Sequence, residues 1–177
     1  EVLRGHGVAL RTGVRVQEFV GGDKVERVRL AGGEELPVDA VLLGIGAVAN
    51  VELGRKAGLR LGPTGGLQVD RFMATSAARI FACGDCAEKV SFFGGGPSPL
   101  KLASIAASEA RIAGANLYGN KRENIGTIGV WSTAIGDLAL AGAGLTESMA
   151  TRLGYEYVVG KAEGPNRHPG CMPGASV

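Results

Sequence analysis

The stretch that decides the fold is TSAARIFACGDCA, residues 75–87. Residues 80–83 form a short apolar run, which predicts a buried strand with Gly84 and Asp85 at its carboxyl end. Ligands of α/β folds gather at such strand ends. Glycine lets the backbone approach a ligand closely, and a carboxylate accepts hydrogen bonds from ligand hydroxyls. The stretch therefore predicts a ligand-binding strand end in an α/β fold.

A long helix is predicted downstream, over residues 100–118, because its apolar residues keep helical spacing and alanine is abundant. Gly119 can end it. The helix begins at residues 99–101, Pro-Leu-Lys, where its free N–H groups and positive dipole end can hold an anionic or electron-rich atom. An acid that reads hydroxyls, followed by a helix start, is what a flavin with its ribityl chain requires.

Short helices and strands are predicted on either side of the strand over 80–83 and the helix over 100–118. Alternating apolar residues over 8–30, followed by a glycine turn, predict an antiparallel meander. The continuous apolar run 40–43 predicts a strand buried on both faces that ends at Gly44. A short helix is predicted over 52–57, a loop over 62–66 and a small strand over 67–69.

After residue 124 the composition shifts. Strands are predicted over 128–143, and Thr146 can N-cap a helix that ends at Gly154. Residues 155–159 predict one more strand. The last residues, 165–177, show no period.

Composition narrows the function classes. The 177 residues include 45% hydrophobic residues and 30 glycines, with a net charge of +2. No basic stripe is present, so a nucleic acid partner is not predicted. The apolar runs fall short of the roughly 20 residues of a membrane helix, so no membrane partner is predicted either. Three cysteines form no disulfide framework, which favours a reducing, cytoplasmic setting.

The sequence resembles the pyridine nucleotide-disulfide oxidoreductase family, and within it the coenzyme A-disulfide reductase and NADH oxidase branch. The stretch 75–87 looks like the second FAD motif of that family. The upstream run EELPVDAVLLGIG, residues 34–46, also matches. Downstream, STAI at 132–135 and AGLTE at 143–147 resemble the start of the family's dimerisation domain.

The resemblance implies a C-terminal fragment with an α/β fold: partial FAD- and NAD(P)-binding Rossmann-like domains, followed by the start of an α+β dimerisation domain. Residues 1–44 would be the tail of the NAD(P)-binding domain. Residues 45–124 would be the second half of the FAD-binding domain. Residues 125–177 would be the truncated N-terminal part of a dimerisation domain, which implies a homodimer.

The resemblance also implies site residues and cofactors. Asp85 would bind the ribityl hydroxyls of FAD, and Gly84 would let the chain approach the pyrophosphate and ribityl. Backbone N–H groups near Leu102 and Ala103 would face the pyrimidine edge of the flavin. The two glycines of residues 44–46, Gly44 and Gly46, would lie where the two dinucleotide domains meet.

The implied activity is hydride transfer from NADH or NADPH, through FAD, to a disulfide, oxygen or another small-molecule acceptor. No redox cysteine in a flavin-proximal position and no glycine-rich fingerprint at the start of a dinucleotide unit are found. The chain is therefore expected to be inactive alone and to carry no catalytic residue. The family usually has Arg and Pro between the Gly-x-Gly of residues 44–46 and Asn50. This chain has Ala-Val-Ala there, at residues 47–49.

Other readings compete with this one. Cys83 and Cys86 have the C-x-x-C spacing of a redox pair, but a thiol that ends a buried strand is better read as a packed side chain. Zinc is disfavoured because no second C-x-x-C exists, and no metal site is predicted. The run GIGAVA, residues 44–49, with Asp70 further on, mimics a dinucleotide fingerprint and would make an NAD-binding module. A non-catalytic, dimerising scaffold is the remaining alternative.

Overall fold

A computed structural model describes residues 1–165, so residues 166–177, which include His168 and Cys171, lie outside it. The chain divides into two compact units, residues 1–143 and residues from 144 onward. Within the described residues the strands form three separate antiparallel sheets. None of the described helices is long and apolar enough to cross a membrane.

The predicted meander is confirmed. A short helix, α1 (Val2–Gly5), precedes strands β1 (Val16–Gly21), β2 (Val25–Leu30) and β3 (Glu35–Pro37), which pair in that order. The strand expected from residue 8 begins only at residue 16, and residues 8–15 are irregular and exposed. Alternating apolar and polar residues do not form a strand by themselves, because each inter-strand hydrogen bond needs a neighbouring strand.

The strand predicted over residues 40–43 is wrong. This segment is irregular, and Leu42, Ile45 and Val48 are 98%, 88% and 95% exposed. A doubly buried strand needs a paired neighbour on each side, and no described strand of this chain pairs with it. The short helix that follows, α2 (Glu52–Lys56), is as predicted.

The strand predicted over residues 80–83 is also wrong, and so is the one over 67–69. Both regions form only isolated bridges, such as Ala74 with Phe81 and Leu67 with Ala87. Each region nevertheless contributes one residue, Leu67 or Ala82, to the main core. The buried members of that core are Leu59, Leu67, Met73, Ala82, Ala87, Ile112 and Ala113. Within the run 80–83 only Ala82 is buried, since Ile80 is 41% exposed and Phe81 and Cys83 are half-buried.

Met73 has an unusual backbone. It is 0% exposed, and its φ of 65° lies in the left-handed region, which non-glycine residues rarely adopt. Asp70 helps to hold this turn, because its Oδ1 accepts hydrogen bonds from the amides of Phe72 (2.8 Å) and Ala74 (2.9 Å). The side chain of Met73 is thus placed in the core by a strained turn.

The predicted glycine loop, residues 62–66, is confirmed and is held by a buried acid. The carboxylate of Glu88 accepts hydrogen bonds from the amides of Thr64 (3.0 Å) and Gly66 (3.1 Å). A Cβ at Gly66 would lie 2.7 Å from the backbone nitrogen of Glu88. Glycine is required at residue 66 because the two backbones approach too closely for a side chain.

The long helix is confirmed as α3 (Ala103–Asn116), after the two-residue strands β4 (Lys89–Val90) and β5 (Pro97–Ser98). Buried Asn116 fixes its exit: the side chain donates to the carbonyls of Phe72 and Arg122 and accepts from the amides of Lys121 and Arg122. The helix is thereby fastened to the core at its C-terminal end.

The strands predicted over 128–143 form a hairpin of β6 (Val130–Ile135) and β7 (Leu138–Ala143). In the second unit, α4 (Glu147–Arg152) begins as expected, because the Thr146 side chain accepts a hydrogen bond from the amide of Met149 at 3.3 Å. The strand predicted over 155–159 is wrong; those residues are irregular.

Candidate functional site

The turn that carries Asp85 packs against the beginning of α3. Gly84–Cys86 form one turn of 3-10 helix, and Asp85 is exposed on it. The φ of Gly84 is 77°, and a Cβ there would lie 3.5 Å from the Cβ of Ala106 in the first turn of α3. The structure therefore brings the Gly84–Cys86 turn and the helix start together, although they are far apart in sequence.

The start of α3 is open to a ligand. Leu102 is extended, with φ −135° and ψ 136°, and no side chain caps the helix there. The first intrahelical bond runs from the amide of Ala106 to the carbonyl of Leu102 at 3.0 Å. The amides that follow Leu102 precede this bond, as at any helix start, and their dipoles point out of the helix end. Exposed Ala103 adds no bulk in front of them.

A buried ion pair fastens the Gly84–Cys86 turn to the middle of α3. Lys89 Nζ and Glu109 Oε2 are 2.9 Å apart, and the two side chains are 3% and 2% exposed. Glu109 Oε2 also accepts a hydrogen bond from the amide of Gly84 at 2.9 Å. Lys89 Nζ donates to the carbonyl oxygens of Gly84 and, at 3.1 Å, of Ala87. We call these two residues the anchoring pair.

Sequence reasoning missed the anchoring pair. Neither Glu109 nor Lys89 is among the predicted site residues. A signal was present, because Glu109 falls between Ile105 and Ile112 on the buried face of the helix. Glutamate is almost never fully buried unless it is paired, so a glutamate in that place indicates a hidden basic partner.

The other two predicted residues lie elsewhere. Gly44 and Gly46 belong to the exposed irregular segment that precedes α2, and Gly46 has a φ of 87°. A Cβ at either position would meet nothing within 4 Å. Their expected place between two dinucleotide domains stays a prediction.

The run 44–49 does not form the strand–glycine–helix order of a dinucleotide fingerprint. No strand of the described chain leads into Gly44, and α2 has only five residues. Asp70, which would have to read a ribose, instead accepts the two amides of its own turn. Nothing in this geometry favours the separate NAD-binding module.

Cys83 directly precedes the Gly84–Cys86 turn and Cys86 ends it; both are free, half-buried thiols. Cys86 Sγ donates to the carbonyl oxygen of Cys83 at 3.3 Å. Burial raises the pKa of the Cys83 thiol, and Cys86 and Glu109 raise it further, while the charge of Lys89 lowers it. A redox thiol needs the opposite shift, since the thiolate is the nucleophile.

Cys83 is expected to resist alkylation in the native chain. Its raised pKa leaves less thiolate at neutral pH than in an unstructured thiol, so iodoacetamide should label it more slowly than in the urea-unfolded chain, which serves as the control. Labelling should accelerate as the pH rises through the alkaline range. Tandem mass spectrometry assigns the label to Cys83 or Cys86, which share one tryptic peptide, residues 80–89. Fast native labelling at neutral pH would revive the redox-pair reading.

A cleft of about 310 Å³ lies beside α3, between Ser104 and Ser108 on the helix and residues 126–128. Glu109 lines it but Asp85 does not. This volume is at the lower limit for ligand pockets, which run to about 1,000 Å³. The described cleft therefore does not enclose a whole dinucleotide.

The Gly84–Cys86 turn, with Asp85 exposed, thus lies against the start of α3. Residues 1–110 match the family described as pyridine nucleotide-disulphide oxidoreductase. The chain belongs to that family. The resemblance read from residues 34–46 and 75–87 is thus confirmed.

Named relatives agree with this assignment. The NADH oxidase of Methanocaldococcus jannaschii is 30% identical over 165 residues, which cover 93% of this chain and 36% of that protein. The structure of an NAD-dependent persulfide reductase from A. fulgidus superposes with a TM-score of 0.85 at 35% identity, covering 98% of this chain and 32% of its own.

A FAD-dependent pyridine nucleotide-disulphide oxidoreductase from Desulfovibrio vulgaris superposes with a TM-score of 0.77 at 36% identity, covering 89% of this chain and 40% of its own. These neighbours confirm the predicted α/β, Rossmann-like fold class. The chain spans about a third of the length of the curated relatives it matches.

Proposed function

We propose that this chain supplies part of the flavin-binding unit of an FAD-dependent NAD(P)H oxidoreductase. The observation that carries the proposal is the Gly84–Cys86 turn, which packs against the open start of α3 with Asp85 exposed. A carboxylate beside free helix amides suits a ligand that has both hydroxyls and an electron-rich ring edge. FAD has both.

Each part of the site has a distinct role in this proposal. Asp85 accepts hydrogen bonds from the ribityl hydroxyls, and Gly84 keeps the backbone close to the ribityl and pyrophosphate. The amides near Leu102 and Ala103 face the pyrimidine edge, where the helix dipole stabilises negative charge. When bound, FAD supplies the hydride-accepting centre between NADH or NADPH and the final acceptor.

The final acceptor is a disulfide, oxygen or another small molecule, in line with the persulfide and NADH chemistry that the relatives' names print. The chain alone is expected to be inactive, since it spans about a third of those relatives. The proposal includes a homodimer, because residues 125–177 would begin the family's dimerisation domain. A cytoplasmic setting fits the free thiols of Cys83 and Cys86.

The test is flavin content in the product of the complete reading frame that encodes this chain. That product is expected to elute from gel filtration with flavin absorbance and to oxidise NADH or NADPH. Chromatography of the cofactor that the protein releases on denaturation distinguishes FAD from FMN. A folded product that takes up no flavin, even after incubation with free FAD, would contradict the proposal.

A second candidate function, a non-catalytic dimerising scaffold, is favoured by one observation. The segment with Leu42, Ile45 and Val48 exposes its apolar side chains almost fully. Exposed apolar segments of this kind favour association. Light scattering on the 177-residue chain decides: a defined, flavin-free dimer supports the scaffold, and a clean monomer dismisses it.

A further inference from the structure

We propose that the anchoring pair, Lys89 and Glu109, is the device that positions Asp85 for the flavin. The inference rests on the flavin site proposed above and assigns positioning residues to it. Neither side chain is exposed, and the cleft that Glu109 lines does not include Asp85, so neither residue is assigned a contact with the flavin. Both act through the Gly84–Cys86 turn.

The pair holds the turn at both ends. Glu109, in the middle of α3, takes the amide of Gly84, the first residue of the turn. Lys89 takes the carbonyl of Gly84 and that of Ala87, the residue directly after the turn. Because Lys89 and Glu109 also bind each other, the turn and the helix move as one body. The backbone of Asp85 is thereby held in place relative to α3.

Stability alone does not account for this arrangement. Glu109 Oε1 is buried and has no hydrogen-bond partner among the described residues. Buried ion pairs are often no more stabilising than apolar side chains of similar volume, and an unmet carboxylate oxygen adds a cost. A pair kept at this cost is better explained by the geometry that it imposes on the Gly84–Cys86 turn.

The first readout needs no flavin. Amide hydrogen exchange by NMR on the full 177-residue chain is expected to show Gly84 protected relative to Gly46, which lies in an irregular exposed segment. In the double apolar variant Lys89→Met/Glu109→Leu, exchange at Gly84 should rise about tenfold or more, since its acceptor is gone. The amides of Gln68 and Asp70, which donate to the carbonyls of Arg60 and Ala74 outside the turn, are the internal controls.

The second readout is FAD affinity in the product of the complete reading frame. The double variant should bind FAD about tenfold or more weakly while its control amides stay protected. Glu109→Gln lowers stability, because buried Lys89 loses its counter-charge, but it keeps an acceptor for the Gly84 amide, so the folded variant should bind FAD within about threefold of wild type. A merely structural pair would not give this rescue without also changing the control amides.

Three outcomes overturn the inference: a wild-type Gly84 amide that exchanges as fast as that of Gly46, a folded double variant with unchanged FAD affinity, or no difference between the double variant and Glu109→Gln. If the double variant does not fold, the wild-type exchange and the Glu109→Gln affinity still decide. A wild-type protein without flavin, in contrast, defeats the proposed function, while the exchange data still report whether the pair holds the turn.

Discussion

Asp85→Ala is expected to lower the FAD affinity of the product of the complete reading frame by about a hundredfold. A hydrogen bond to a charged acceptor contributes about 1.5–3 kcal/mol, and each 1.4 kcal/mol is tenfold in affinity. One or two ribityl hydroxyls that lose the carboxylate therefore account for a loss of that size. The ratio of flavin to protein absorbance after gel filtration measures it, and titration of the stripped protein with FAD gives the Kd.

The fold should survive this change, because Asp85 is exposed and surface substitutions usually stay within about 0.5 kcal/mol. Asp85→Asn keeps one oxygen acceptor without the charge and should fall between wild type and the alanine variant. Asp23→Ala, another exposed acid, in the turn between β1 and β2, is the matched control. Flavin retention by Asp85→Ala equal to that of Asp23→Ala would remove Asp85 from the site.

Lys89→Met is expected to lower the free energy of unfolding by about 3–5 kcal/mol. The change leaves the Glu109 carboxylate buried without its counter-charge, which is far more costly than losing an exposed pair. The second change, Glu109→Leu, should recover most of the loss, because two apolar side chains of similar volume need no partners. Urea unfolding followed by circular dichroism measures all three proteins.

Lys56→Met provides the comparison. Lys56 faces Glu52 at 3.6 Å across one turn of α2, and both side chains are more than half exposed. Its loss should stay within about 0.5 kcal/mol. If Lys89→Met were as mild as Lys56→Met, or if the double variant were less stable than Lys89→Met, the buried pair would not behave as described.

Local elements were predictable where a single segment settles its own structure. The meander up to β3, the helix α3 and the Thr146 cap of α4 need only short-range bonds and helical spacing. The strand predicted over residues 40–43 does not form. A strand buried on both faces exists only beside neighbouring strands, and no described part of this chain provides them. The motif around Asp85 was assigned through its similarity to the family, whereas the strand expected to lead into it does not form.

The anchoring pair shows what sequence patterns leave out. Lys89 and Glu109 are 20 residues apart, and no periodicity joins them. A buried glutamate indicates that a basic partner exists. Only the path of the chain through β4 and β5 determines that this partner is Lys89. The same holds for Glu88, whose two amide donors lie more than 20 residues upstream.

The strained turn at Met73 has a consequence for attempts to improve this protein. Glycine would relieve the left-handed φ, which costs a larger residue about 1–2 kcal/mol, but deleting the buried side chain would cost about 2–5 kcal/mol. A different large apolar residue would keep the strain. We therefore expect no single substitution of Met73 to raise the stability of the protein. Random mutagenesis followed by selection for heat resistance should return none at this position.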